Sequence, residues 1–210
     1  MNNEAQLKQQ LLQGCDTLKL DLTELQISQL LTYVQLLDKW NKVYNLTSVR
    51  DPQEMISRHI LDSLAVLPYL PGPSLLDVGT GAGLPGIPVA IANPNISVTL
   101  LDSNSKKTRF LQQVKAELGL TNITVVHGRV EQAELAKFTT VTARAFSTID
   151  VIIDLAGRHC DDAGSLVLMK GVYPEEELAA NIEGFSLQDV VSLDVPNCDG
   201  KRHLVRLIKN

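Results

Sequence analysis

Residues 74–90 read "SLLDVGTGAGLPGIPVA". A short apolar run ends in an acid, Asp77; glycines follow at positions 79, 81, 83 and 86, and the apolar run then resumes. This pattern predicts a buried strand turning sharply into a helix. Glycines in such a turn permit backbone angles closed to other residues and keep side chains out of the way of a close-lying ligand. In an open parallel sheet ligands bind at the carboxyl ends of the strands, near the point where strand order reverses. Residues 79–83 are therefore expected to floor a nucleotide-like cofactor site.

Downstream, β-type and helical runs alternate. "ISVTLLD" (96–102) precedes "SKKTRFLQQVKAELG", "ITVV" (123–126) precedes a short helix, "TTVTARA" (139–145) precedes "IDVIIDLAGRHC", and "GSLVLMK" (164–170) precedes "PEEELAANI". Five β–α alternations predict a parallel sheet covered by helices on both faces. Two last strand-like runs, 187–195 and 203–209, have no long helix between them and read as a hairpin at a sheet edge. Upstream, residues 4–46 read as helical, with a Thr-x-x-Gln capping box at 23–26. Ile27, Leu30, Leu31, Val34 and Leu37 then recur at helical spacing, and Tyr33, Leu36, Trp40 and Val43 widen that face. Residues 51–70 read as a further helix, and "PGP" (71–73) marks the boundary. The expected organisation is an N-terminal helical extension, 1–70, packed on a core of 71–210.

Composition bounds the rest. The chain has 210 residues, 44% hydrophobic and 20% charged, as expected of a globular domain with a real core. Its formal net charge of −5 does not advertise a protein that grips naked nucleic acid through many phosphates. Cys15, Cys160 and Cys198 are odd in number and far apart, which predicts reduced thiols in a cytoplasmic protein and no zinc site. The polar start "MNNEAQLKQQ" is not of signal-peptide type, and no apolar run approaches membrane-spanning length.

Two cofactor classes compete for the glycine turn. "GAGLPG" (81–86) formally matches the dinucleotide pattern G-x-G-x-x-G, but Gly79 precedes it and gives G-x-G-x-G. Asp77 is the sharper clue: a carboxylate there can accept hydrogen bonds from an ammonium group, whereas a pyrophosphate gains nothing from it. The pattern suits S-adenosyl-L-methionine, which is cationic and carries no phosphate. Asp102 ends the second strand, where an acid commonly binds ribose hydroxyls. "VHGRVEQ" (126–132) follows the third strand; Gly128 permits close approach there, and Val130 and Glu131 are placed to border a base.

Eight stretches, "WNKVYNLTSV" (40–49), "RHILDSL" (58–64), "DVGTGAGLPGIPVA" (77–90), "TLLDSNSKKTRFL" (99–111), "RVE" (129–131), "ARAF" (143–146), "LMKG" (168–171) and "GKRHLV" (200–205), together resemble the bacterial glucose-inhibited division protein B family. Its members are 16S ribosomal RNA guanine-N7 methyltransferases. The likeness runs from about residue 28 onward, with the motifs in order. It implies a Rossmann-like α/β methyltransferase of class I, with a seven-stranded, mostly parallel sheet and an antiparallel last strand. It also implies transfer of a methyl group from S-adenosylmethionine to one guanine of the small ribosomal subunit, near the decoding centre. Carried over by motif, Gly79, Leu84, Val130, Glu131 and Arg144 contact the cofactor, with Asp77, Gly81 and Asp102 from the broader methyltransferase pattern. Ala82 stands where many members have proline.

N7 of guanine has a free lone pair and no proton to lose, so attack on a sulfonium methyl needs alignment and dryness but no general base. Arg144 is accordingly expected to position and not to take a proton. The residues expected to meet RNA are Arg58, His59, Lys106, Lys107, Arg109, Lys170, Lys201, Arg202 and His203. The acidic balance predicts recognition of a folded small subunit or its precursor, by a protein in which nothing demands a dimer. A methyltransferase for small molecules and a nucleotide-binding regulator without catalysis are the competing readings.

Overall fold

The structure is a computed structural model that describes residues 3–179 and 182–210. Met1 and Asn2 of the polar start, and Ala180 and Asn181 of the expected helix 174–182, lie outside the described residues. Seven strands form one sheet: β1 (Ser74–Val78), β2 (Ser97–Asp102), β3 (Ile123–His127), β4 (Phe138–Arg144), β5 (Cys160–Lys170), β6 (Phe185–Leu193) and β7 (Arg202–Lys209). Their order is β3-β2-β1-β4-β5-β7-β6. The first five strands run parallel, and β7 pairs antiparallel with both β5 and β6. The last two strands thus form the expected antiparallel pair, but β7 is interior and only β6 lies at the edge.

The strands alternate their side chains between two cores, as a period of two requires. Leu75, Val98 and Leu100 face one core; Leu76, Val78 and Leu101 face the other. The first core is covered by α1 (Asn3–Thr17), α2 (Glu24–Tyr44), the helical segment 52–64, α5 (Gly86–Ala92) and α6 (Ser105–Leu118). That segment comprises α3 (Pro52–Met55), a π-helical turn (Ile56–Leu61) and α4 (Asp62–Leu64). The second core is covered by α7 (Ile149–Ala156) and a chain segment after β3, with α8 (Glu175–Leu178) beside it.

The expected helix after β3 is not formed. Val130, Ala133 and Leu135 all pack on the sheet, and a 133/135 spacing fits extended chain better than a helical face. The N-terminal helical run breaks between Thr17 and Glu24, where Thr23 caps α2 through the full capping box with Gln26. Val43 is 69% exposed and does not belong to the buried face of α2.

Helix α2 is fastened to the sheet layer by polar side chains as well as apolar ones. Gln26 Nε2 donates to the carbonyls of Ile91 and Ala92, and Gln29 Nε2 to that of Leu118. These are carbonyls at the carboxyl ends of α5 and α6, which have no partner within their own helices. Tyr33, fully buried, donates its hydroxyl to the Ala82 carbonyl at 2.7 Å, so α2 also reaches under the glycine turn.

Candidate active site

The glycine turn leaves β1 at the carboxyl edge of the sheet. Gly79 has φ +62, and a Cβ there would collide with the ring of Phe146. Gly86 opens α5, where a Cβ would meet Leu100 and the Asp77 carboxylate; its bareness lets the helix settle onto the strands. Asp77 is fully buried; its Oδ2 accepts from Thr80 Oγ1 at 2.6 Å and from Gly86 N at 2.8 Å. Its carboxylate therefore braces the turn from beneath and does not present itself to the cavity, which differs from the direct ammonium contact expected from the sequence. Burial pushes its carboxyl up to about 7, against the two hydrogen bonds and the distant Arg144 charge that pull it down. Oδ1 has no partner.

A cavity of about 490 Å³ opens above this turn. Gly79, Asp102, Lys107, Gly128, Val130, Glu131, Ala145 and Phe146 contribute to its walls. Asp102 is held from both sides: Oδ2 accepts from Gly81 N at 2.9 Å and Oδ1 from Asn104 N at 2.8 Å, with Lys107 Nζ 3.7 Å away. It joins the glycine turn to the start of α6 while lining the cavity.

A second cavity, about 460 Å³, adjoins the first and shares Ala145 and Phe146 with it. Arg58, His59, Asp62, Arg144, Lys170, Arg202 and His203 line it. Asp62, nearly inaccessible, lies between two arginines: Arg144 Nη1 donates to Oδ2 at 2.7 Å and Arg202 Nε to Oδ1 at 3.1 Å. Arg144 Nη1 also donates to the Arg58 carbonyl at 3.0 Å. Arg58, His59 and Asp62 reach the same cavity from the π-helical turn and its end, a widened geometry that often marks functional sites. His59 is buried with both ring nitrogens engaged, Nε2 with Thr47 Oγ1 at 2.8 Å and Nδ1 with the Arg58 carbonyl at 3.0 Å. Burial, helped by the Arg144 charge, lowers its pKa to about 4, so it is neutral at pH 7. Lys170 Nζ donates to Glu177 Oε2 at 2.7 Å and to the Ser147 carbonyl at 2.8 Å. His203 packs edge-on against Tyr173, with Nδ1 unpartnered.

The residues expected from the sequence thus separate. Gly79, Asp102, Val130 and Glu131 line the first cavity. Gly81 ties the turn to Asp102, and Leu84, 5% exposed, is a core residue; neither lines it. Arg144 was expected at the cofactor but lines the second cavity, because the Asp62 carboxylate draws its guanidinium there. Of the residues expected at RNA, Arg58, His59, Lys170, Arg202 and His203 converge on that same cavity. The trio on α6 diverges: Lys107 lines the first cavity, Lys106 is exposed, and Arg109 faces away beside His127. Lys201 is exposed and lines neither cavity. The sequence does not single out Asp62 as the anchor of two arginines, nor Phe146, although both stand in the family-like stretches "RHILDSL" and "ARAF". The 82- and 140-residue separations of the Asp62 contacts leave no local signal.

The sheet order with its reversed β7, the glycine turn and the acid ending β2 define the fold class of the S-adenosylmethionine-dependent methyltransferases. Among solved structures, a SAM-dependent methyltransferase from Aquifex aeolicus superposes with TM-score 0.61 at 19% identity, covering 79% of this chain and 97% of that one. TrmN from Thermus thermophilus gives 0.57 at 17% identity, over 74% and 53%. The chain belongs to the GidB family, described as rRNA small subunit methyltransferase G, whose family model matches residues 26–205. Relatives named ribosomal RNA small subunit methyltransferase G are 50% identical in Nitrosospira multiformis, over 94% of this chain and 95% of that one. The corresponding figures for Chromobacterium violaceum are 49%, 95% and 96%.

Proposed function

We propose that the protein transfers a methyl group from S-adenosylmethionine to N7 of a guanine in 16S ribosomal RNA of the small subunit, near the decoding centre. The observation that carries this reading is the pair of adjoining cavities: the first, at the glycine turn, carries Asp102 and Glu131 beside Lys107 and Arg129, and the second gathers Arg58, Arg144, Lys170 and Arg202 with the single carboxylate of Asp62. The first fits the cofactor. The bare backbone of Gly79 makes room for the Phe146 ring at its floor, the Asp102 carboxylate stands at its edge, and a Cβ on Gly128 would meet nothing within 4 Å, so the wall is open beside the apolar Val130. When bound, the cofactor supplies a methyl group activated on a sulfonium. Asp102, Val130 and Glu131 hold it, and Asp77 sets the turn.

In the second cavity Arg58, Lys170 and Arg202 attract RNA phosphates, and Arg144 is fixed for hydrogen bonding to guanine O6. Asp62, the one carboxylate among its described lining residues, is committed to two arginines, and His59 has both nitrogens engaged. A site whose acid and imidazole are both committed suits an acceptor that has no proton to surrender. We also propose that residues 1–70 form a helical extension of a 71–210 catalytic core, and that the protein acts as a cytoplasmic monomer on the subunit or its assembly precursor. No helix among the described residues is long and apolar enough to cross a membrane.

The test is labelled S-adenosylmethionine with small subunits from a strain lacking the activity, or with free nucleosides. The expected product is 7-methylguanine in the ribosomal RNA; label on small molecules alone would overturn the reading.

A further inference from the structure

Phe146 is the one residue among the Phe, Tyr and Trp side chains that lines either cavity, and it lines both. The other three phenylalanines, Phe110, Phe138 and Phe185, are at most 8% exposed, whereas Phe146 is 38% exposed. Nothing in the packing of the cores requires this ring to stand in the open. It is carried by a constrained backbone: Ala145 has φ +51, the left-handed region that a residue with a Cβ enters at a cost. That turn takes the chain off the end of β4 and places the ring over Gly79, at the boundary where a methyl group must pass from one cavity to the other.

We infer that Phe146 is the residue that positions the target base, stacking on the guanine face at the partition between the two cavities. The inference rests on the guanine-N7 reading above. In the reaction the N7 lone pair forms the new N–C bond, the methyl–sulfur bond breaks with its electrons going to sulfur, and the positive charge passes to the base. The lone pair lies in the ring plane, so the base must be held with that plane along the line of attack. A flat ring stacked on the base fixes the plane; the arginines at its edge cannot. The face of an aromatic ring also attracts positive charge, so the contact strengthens as the base becomes cationic, and it offsets the unfavourable field of Arg144 nearby.

The experiment uses the full chain with unmodified small subunits, measuring single-turnover transfer at saturating cofactor and subunits, and cofactor affinity by calorimetry. Phe146→Leu is expected to slow transfer by about tenfold or more, with cofactor affinity within about threefold of the parent. Phe146→Tyr is expected to retain the rate within about threefold, since it keeps the stacking face. Thermal melting checks the fold, and Phe146→Met takes the place of the leucine variant if that one is unstable. An unchanged rate in the leucine or methionine variant overturns the inference. So does a tyrosine variant as slow as leucine, or a loss matched by equally weakened cofactor binding. Failure of the parent protein to label subunits would instead overturn the underlying reading, so the two failures are distinguishable.

Discussion

The two cavities are built in opposite ways. The first is made of backbone turns at the ends of adjacent strands, and most of its pieces come from three short contiguous stretches. The second is made of charged side chains from the π-helical turn, β4, β5 and β7, gathered around one buried carboxylate. The first takes its shape from the backbone turns, the second from compensation between charges. Substitutions should therefore fail differently in each: by blocking in the first, by release of unpaired charge in the second.

The largest effect is expected from Gly79→Asp. The new side chain would occupy space that the Phe146 ring already fills, its Cβ colliding with that ring. Cofactor binding by calorimetry should fall by about a hundredfold or more, with methyl transfer lost alongside. Asp62→Asn attacks the other construction. It leaves Arg144 and Arg202 without their countercharge, and chemical unfolding should show a loss of about 2 kcal/mol, below the full range for buried pairs because both arginines are partly exposed. Transfer to subunits should drop while cofactor affinity stays near the parent value. Equal losses of both would mean that the cavities are not independent.

The pH response has a definite sign in each region. His59 has a folded pKa of about 4, below its unfolded value near 6.5, so the unfolded state binds more protons in between. Stability from this group is lost as pH falls through that window, by about 2 kcal/mol between pH 7 and 5. His59→Gln should remove that slope in unfolding measured across the range. Asp77 runs the other way: its folded pKa of about 7 lies above the unfolded value, so its contribution is lost as pH rises from about 4 to 7. Asp77→Asn should flatten that opposite slope. The smallest effect is expected from Tyr33→Phe, which leaves the Ala82 carbonyl without its 2.7 Å donor. Unfolding should show about 1 kcal/mol of destabilisation, with cofactor affinity slightly weakened and transfer otherwise intact.

The same contrast explains what could be read from the sequence. The glycine turn, Asp102 and Val130 were visible because strand-end loops in a parallel sheet carry local signatures. The capping box at Thr23 was visible for the same reason. The π-helical turn was not, because residues 52–64 read as ordinary helix while the widened geometry arises from packing. The inward turn of Asp77 was not visible either: its Thr80 and Gly86 partners depend on how tightly α5 seats on β1. Which cavity Arg144 lines was not visible, because its direction is decided by Asp62, which is distant in sequence. The position of β7 inside the sheet was hidden because a hairpin pattern specifies pairing between its two strands but not which of them meets β5.

That placement of β7 gives the molecule an order of completion during synthesis. Strands β1 to β5 can associate as the chain emerges, with the glycine turn and Asp102 already present. Strand β6 emerges with no neighbour to join, since the slot beside β5 belongs to a segment still to be made. Only when Arg202–Lys209 threads between β5 and β6 does the sheet close, and the same event brings Arg202 to Asp62 and His203 to Tyr173. The first cavity is thus built wholly from residues made before β7, and the second is completed by it.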